Sequence, residues 1–164
     1  MGLQLPGGLV QLLQDLGFTW PEADEQKLLE LGGTWLKVAG PVARHGQELH
    51  GHAQRVWSEN TGQGVDAFQG SWHGQRAPVA NLQTASSGCA MIAAGMMGAS
   101  AVVLALKINV IAQLTMLAIE IFEALATAPE TFGASLAEIP VFKEITQRIV
   151  NAAINEAINV LLEG

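Results

Sequence analysis

Along residues 28–56, apolar and weakly polar positions recur in alternating steps of three and four: Leu28, Leu31, Trp35, Val38, Val42, His45, Leu49, His52 and Val56. That spacing sets one stripe along an α-helix and predicts a helix–helix seam. It resumes at Val65, Phe68, Trp72, Val79 and Leu82, after the turn-forming run from Ser58 to Gly64. Two such seams joined by a turn predict a long antiparallel helical hairpin, with Gly62 and Gly64 freeing the backbone to reverse. Trp57 and Trp72 should then lie near the hairpin end with Phe68 between them. Gly32, Gly33, Gly40, Gly46 and Gly51 interrupt the first arm. Each weakens an isolated helix by about 1 kcal/mol relative to alanine. Tertiary contacts must therefore hold this arm together. Its small residues admit close approach of another helix, and Pro41 predicts a kink.

On either side of the hairpin the pattern stays helical. Residues 9–16 read as a short helix ending at Gly17, and Thr19 with Glu22 and Pro21 has the form of a cap that starts the long arm. Glu22, Asp24 and Glu25 add negative charge at the positive end of the helix dipole. From Gly88 to Leu106 the chain carries no charge, which is about the minimum length of a membrane-spanning helix, and a helical pattern continues to residue 126. This segment is expected to be buried by protein in solution, since so large an exposed apolar patch is unusual for a soluble monomer. Residues 128–133 form a loop. Ser135 with Glu138 repeats the cap spacing, ahead of a last amphipathic helix through Phe142, Ile145, Ile149, Ala153, Ile158 and Leu161. No strand pattern occurs. The chain reads as all-α: a helical hairpin extended into a bundle, with a short N-terminal helix and a C-terminal amphipathic helix. The organisation is one domain over 1–164, divided into an N-terminal helix and cap (1–19), the hairpin with its apolar second arm (20–126), and a loop with the last helix (127–164).

Composition narrows the chemistry. With 49% apolar and 14% charged residues, intrinsic disorder is excluded. A net charge of −7 excludes the basic surface that nucleic acid requires. Cys89 is alone, so no internal disulfide can form. No Sec-type leader opens the sequence, and export would need another route. His45, Glu48 and His52 share a helical face, but their spacing is permissive and the simpler reading places the histidines in the seam. No Ser-His-Asp, Cys-His or paired-carboxylate arrangement stands out, so neither enzyme chemistry nor a cofactor or metal is expected. The tryptophans fall on or beside the seams, which favours packing over a carbohydrate platform.

One combination of residues is specific enough to suggest a family. Trp20, Pro21, Glu22, Asp24 and Glu25, then Trp35, then Trp57-Ser-Glu-Asn-Thr-Gly62, then Phe68 and Trp72, resemble the N-terminal Trp-X-Gly-like helical domain of actinobacterial type VII (ESX) secreted toxins. That family includes channel-forming members. The resemblance implies an all-helical, non-enzymatic domain that directs an effector out of the cell. It also implies pairing with small helical-hairpin proteins and a secreted or cell-envelope location. Trp57, Gly62, Phe68 and Trp72 would form a hairpin end recognised by shape. The partner seam would run through Leu28, Leu31, Val38, Val42, Leu49, Val56, Val65, Val79 and Leu82. Family substrates carry a Tyr-x-x-x-acid signal, and this chain has no Tyr. A partner would then supply the signal to the secretion ATPase. The alternative implied function is a membrane-inserting or channel-forming module using residues 88–121.

Overall fold

A computed structural model describes residues 2–74 and 76–163. All regular structure among them is helical: α1 (Gly7–Asp15), α2 (Glu25–Glu59), α3 (Gln63–Trp72), α4 (Pro78–Thr127), a 3-10 turn (Ala134–Glu138) and α5 (Ile139–Glu163). The chain divides into two compact units, one formed by Met1–Leu28 with Gly98–Gly164 and the other by Leu29–Met97.

In the first unit, Leu13 and Leu16 of the α1 segment, Val110, Leu114 and Leu117 of α4, and Val150 of α5 form a contiguous buried core. Phe18, Trp20, Phe142 and Ile154 pack around it. On α4 the buried line runs Ser100, Val103, Lys107, Val110, Leu114, Leu117 and Ala124, a three/four stripe like that of a coiled coil. On α5 the buried residues are Thr146, Val150 and Ala157. The α5 face is thus rotated from the expected one, and Ile145, Ile149, Ile158 and Leu161 stay exposed. Gly17, with φ +83°, reverses the chain after α1 as its left-handed position requires.

Three expected helix boundaries move. The long arm begins at Glu25, not at the Thr19–Pro21 cap. Asp24 is the residue that caps it: its Oδ1 accepts from the Lys27 amide at 3.1 Å, and its carbonyl accepts from Leu28 N. Ser135 does not cap the last helix either. Its hydroxyl donates to the Ala124 carbonyl at 2.7 Å, fastening the 3-10 turn to the end of α4. The turn after the first arm is shorter than expected, because α2 runs to Glu59 and α3 starts at Gln63.

In the second unit, α2 and α4 run antiparallel. The Ser86 hydroxyl donates to the Ala39 carbonyl at 2.9 Å. Gly32 sits against Ala93, Met96 and Met97, while Gly46 faces Val79 and Leu82. α2 continues through Pro41. Gly40 before it has no Cβ to meet the proline ring, which eases Pro41 into a helical backbone. Pro78 opens α4, the position where its missing amide costs least.

Candidate partner interface at the hairpin

The α2 residues buried within Leu29–Met97 are Gly32, Ala39, Gly46 and Ala53. They recur every seven residues, and Glu25 continues the line into the other unit. The expected seam lies beside this line. Leu28, Trp35 and Val42 are half-buried; Leu31, Val38, Leu49 and Val56 are exposed, each at 40% or more. The shift has a steric cause. At Gly32 an added Cβ would lie 2.9 Å from Met97 Cγ and 3.0 Å from the Ala93 carbonyl oxygen, so α4 approaches the backbone of α2 more closely than larger residues allow. The small residues take the internal contact and leave part of the apolar stripe on the surface. On the second arm Val65, Val79 and Leu82 are half-buried.

At the turn, Gly62 adopts φ 126°, ψ 164° ahead of α3, a conformation that disfavours any side chain. Trp57 packs against Phe68 at 5.9 Å between ring centroids and against His73 at 5.4 Å. Phe68 reaches Trp72 at 5.6 Å. The Trp72 indole N–H donates to His50 Nδ1 at 3.2 Å, so that nitrogen is unprotonated in this arrangement. The hairpin end is therefore an open cluster of rings, with Trp57, Trp72 and His50 half-buried and Phe68 and His73 exposed. The sequence pattern had marked Trp57, Phe68 and Trp72 but not His50 or His73, which lie off the apolar stripe. His50 lies seven residues before Trp57, on the same helical face, a spacing that could have found it.

The N-terminal motif residues meet α4 in the first unit. Lys107, 2% exposed, donates to the Ala23 carbonyl at 2.7 Å and to Glu25 Oε2 at 2.8 Å. Its ammonium also lies 5.7 Å from the centroid of the Trp20 ring. Glu25 Oε1 accepts from the Leu3 amide, and the Glu25 carbonyl accepts from the Ser100 hydroxyl at 2.7 Å. The Leu3 hydrogen bond first, then Lys107, hold the Glu25 carboxyl down at about 2. Asp24 is lowered as well, chiefly by the Lys27 amide. Pro21 is half-buried and Glu22 exposed beside this cluster, while Trp35 belongs to the other unit. The sequence marks Glu25 as a helix-dipole charge and assigns Lys107 no role. Their pairing spans 82 positions, and no local pattern announces it.

His45 pairs with Glu48 at 3.2 Å on the exposed surface. Among the described residues no group of three His, Cys, Asp or Glu is placed to hold a metal ion.

The apolar second arm departs most from expectation. α4 is the one described helix long and apolar enough to cross a membrane, with a window of mean hydropathy 2.1, and only 17% of that window is buried. Met91, Ile108, Met116, Ile119 and Phe122 are exposed, so the chain by itself does not cover this segment. The packing leaves it open because a helix apolar on most of its sides offers more surface than the other helices of one chain can cover.

Neither the curated proteins nor the solved structures contain a match to this chain. A family model described as the WXG100-like domain matches residues 5–149, which include α1 to α4, the hairpin turn and the first part of α5 as far as Ile149. The chain belongs to the WXG100-like domain family, a group of helical proteins tied to type VII secretion.

Proposed function

We propose that this chain is a non-enzymatic domain of a type VII secreted effector, which acts over 1–164 as one secretion and interaction domain and pairs through its hairpin with a small helical-hairpin partner. The observation that carries the reading is the bare hairpin. Among the described residues between 29 and 97 the only buried ones are glycine and alanine, while Leu31, Val38, Leu49 and Val56 stand exposed at helical spacing. A helical hairpin that buries so little of its own apolar stripe suits a second hairpin that completes a four-helix bundle. Trp57, Gly62, Phe68 and Trp72 then give the hairpin end a rigid shape for recognition. With no Tyr for the family's export signal, the partner presents that signal to the secretion ATPase in trans.

Co-expression with small helical-hairpin proteins encoded nearby tests this directly. The wild-type chain should co-purify with one of them, and Leu31→Asp with Val38→Asp should abolish the complex while the isolated chain keeps its helicity. Retention of the complex by that double variant would overturn the assignment of the surface. Export should stop when the partner's signal is removed and this chain is left intact.

The exposure of α4 favours a second reading, in which residues 88–121 enter a bilayer. Lys107 stands in that segment and is held by Glu25 and the Ala23 carbonyl, so insertion would have to break a buried ion pair. Purified chain that is monodisperse without detergent and inert toward liposomes would eliminate the membrane reading.

A further inference from the structure

Within the first unit α4 carries a second heptad stripe beside its buried one. Ala101, Ala105, Ile108, Ala112, Thr115, Ile119, Phe122 and Ala126 alternate steps of four and three, and every one of them is exposed. The line contains no charge, and its single hydroxyl is satisfied within the helix, since Thr115 Oγ1 donates to the Ile111 carbonyl at 2.7 Å. Any line along a helix face has this spacing; this one is apolar at every position but Thr115, as a coiled-coil seam is.

The order of sizes along the stripe is self-complementary. Inverted about the point between Ala112 and Thr115, it sets Ala112 against Thr115, Ile108 against Ile119, Ala105 against Phe122 and Ala101 against Ala126. The largest side chain then faces alanine, which a knob needs, and the two isoleucines meet. A two-fold contact requires this reciprocity, in which each residue meets the counterpart of its own partner. We infer that a second copy of this chain packs antiparallel on the α4 stripe from Ala101 to Ala126.

Charge selects the direction and confines the contact. A chain of net charge −7 repels its own copy over most of its surface, and this uncharged strip is where approach is least opposed. Glu120 and Glu123 flank its C-terminal end. A parallel pair would set these carboxylates across from their own copies. The antiparallel pair moves them to opposite ends, roughly 20 Å apart at 1.5 Å per residue and beyond the distance at which exposed charges interact strongly. The strip is about 38 Å long and one helix diameter, about 10 Å, wide. That gives on the order of 400 Å² of face, about half of a standard partner surface. Exposed Leu104, Met116 and Leu125 widen it, so the pair forms reversibly with concentration.

Sedimentation velocity of the full chain across a wide concentration range, without detergent, reads the association. The wild type should pass from monomer to dimer. Ile108→Asp, at a position 54% exposed in the single chain, should weaken the dimer by roughly tenfold or more and leave the melting curve unchanged. Direction is read separately by disulfide formation in a Cys89→Ser background, mixing Ala112→Cys chains with Thr115→Cys chains. The mixed disulfide should form faster than either self-pair. A monomer at every concentration, a dimer indifferent to Ile108→Asp, or self-pairs that form as fast as the mixed one would each overturn the inference. Binding of the wild-type monomer to phosphatidylcholine vesicles, lost in Ile108→Asp, would also overturn it and assign the stripe to lipid.

Discussion

The core of the first unit takes leucine and valine from α1, α4 and α5, whereas every buried residue among those described between 29 and 97 is glycine or alanine. The two units are built on the same element type and the same heptad spacing, yet they use it differently. Fully burying a leucine or valine is worth about 1.5–3 kcal/mol, so the first unit draws its stability from a core that three helices close around. The glycine and alanine line brings two backbones close together but removes little apolar area from water. A hairpin packed this way is in register without being covered, and what covers its exposed stripe decides how stable it is.

The sharpest way to break the comparison is to remove a buried charge from the unit that has a core. Lys107→Ala leaves the Glu25 carboxylate buried without its cation, and chemical denaturation should show a loss of about 3–5 kcal/mol. Acid acts on the same pair. The folded Glu25 carboxyl lies near 2, below its ordinary 4.5, so its contribution is fully present above about 4.5 and is lost as pH falls toward 2. Denaturation midpoints measured over that window should fall, and Glu25→Gln should flatten the fall. A midpoint insensitive to pH in both proteins would show that the pair does not hold this unit.

Packing gives the next contrast. Leu114 is fully buried, and Leu114→Ala should cost about 2–5 kcal/mol. Trp57 is larger but half-buried, its ring facing Phe68 and His73 at an open hairpin end. Trp57→Ala should therefore cost only about 1–2 kcal/mol in the chain alone, well short of the 3–5 kcal/mol typical of a fully buried aromatic. Equal losses at the two sites, by thermal or chemical denaturation, would erase the distinction between a closed core and an open hairpin.

How far the sequence carried the fold depends on which interactions are local. The hairpin, its two arms and the all-helical class follow from three/four spacing, because a helix face repeats within a few residues. The face actually used is less legible. Leu31 and Val38 are larger and more apolar than Gly32 and Ala39, so hydrophobicity alone favours the wrong neighbour in each pair. Backbone proximity, seen in the Gly32 contact with Ala93, decides otherwise. The cap at Thr19 matched a motif, but Asp24 competes for the same role and offers a carboxylate to the Lys27 amide. The Glu25–Lys107 pair depends on tertiary placement and could not be read at all. At the candidate interface, the rings at 57, 68 and 72 were legible from their spacing, and His50 was passed over because it lies off the chosen stripe.

The finest test separates the close helix contact from helix propensity within the hairpin itself. Gly32 and Gly51 both lie in α2, and alanine is the better helix former by about 1 kcal/mol at either position. At Gly51 nothing lies within 4 Å of an added Cβ, so Gly51→Ala should stabilise the chain by up to about 1 kcal/mol. At Gly32 the new methyl meets Met97 and the Ala93 carbonyl oxygen. The methionine can swing aside, but the carbonyl belongs to the α4 backbone, and moving it means separating the helices. Overpacking of that kind costs about 1–3 kcal/mol, enough to reverse the propensity gain and leave Gly32→Ala a net loss of about 1 kcal/mol. Thermal melts of the two variants should thus move in opposite directions from wild type. If both rise, α2 and α4 are not held at glycine distance, and the exposure of Leu31 and Val38 loses its steric explanation.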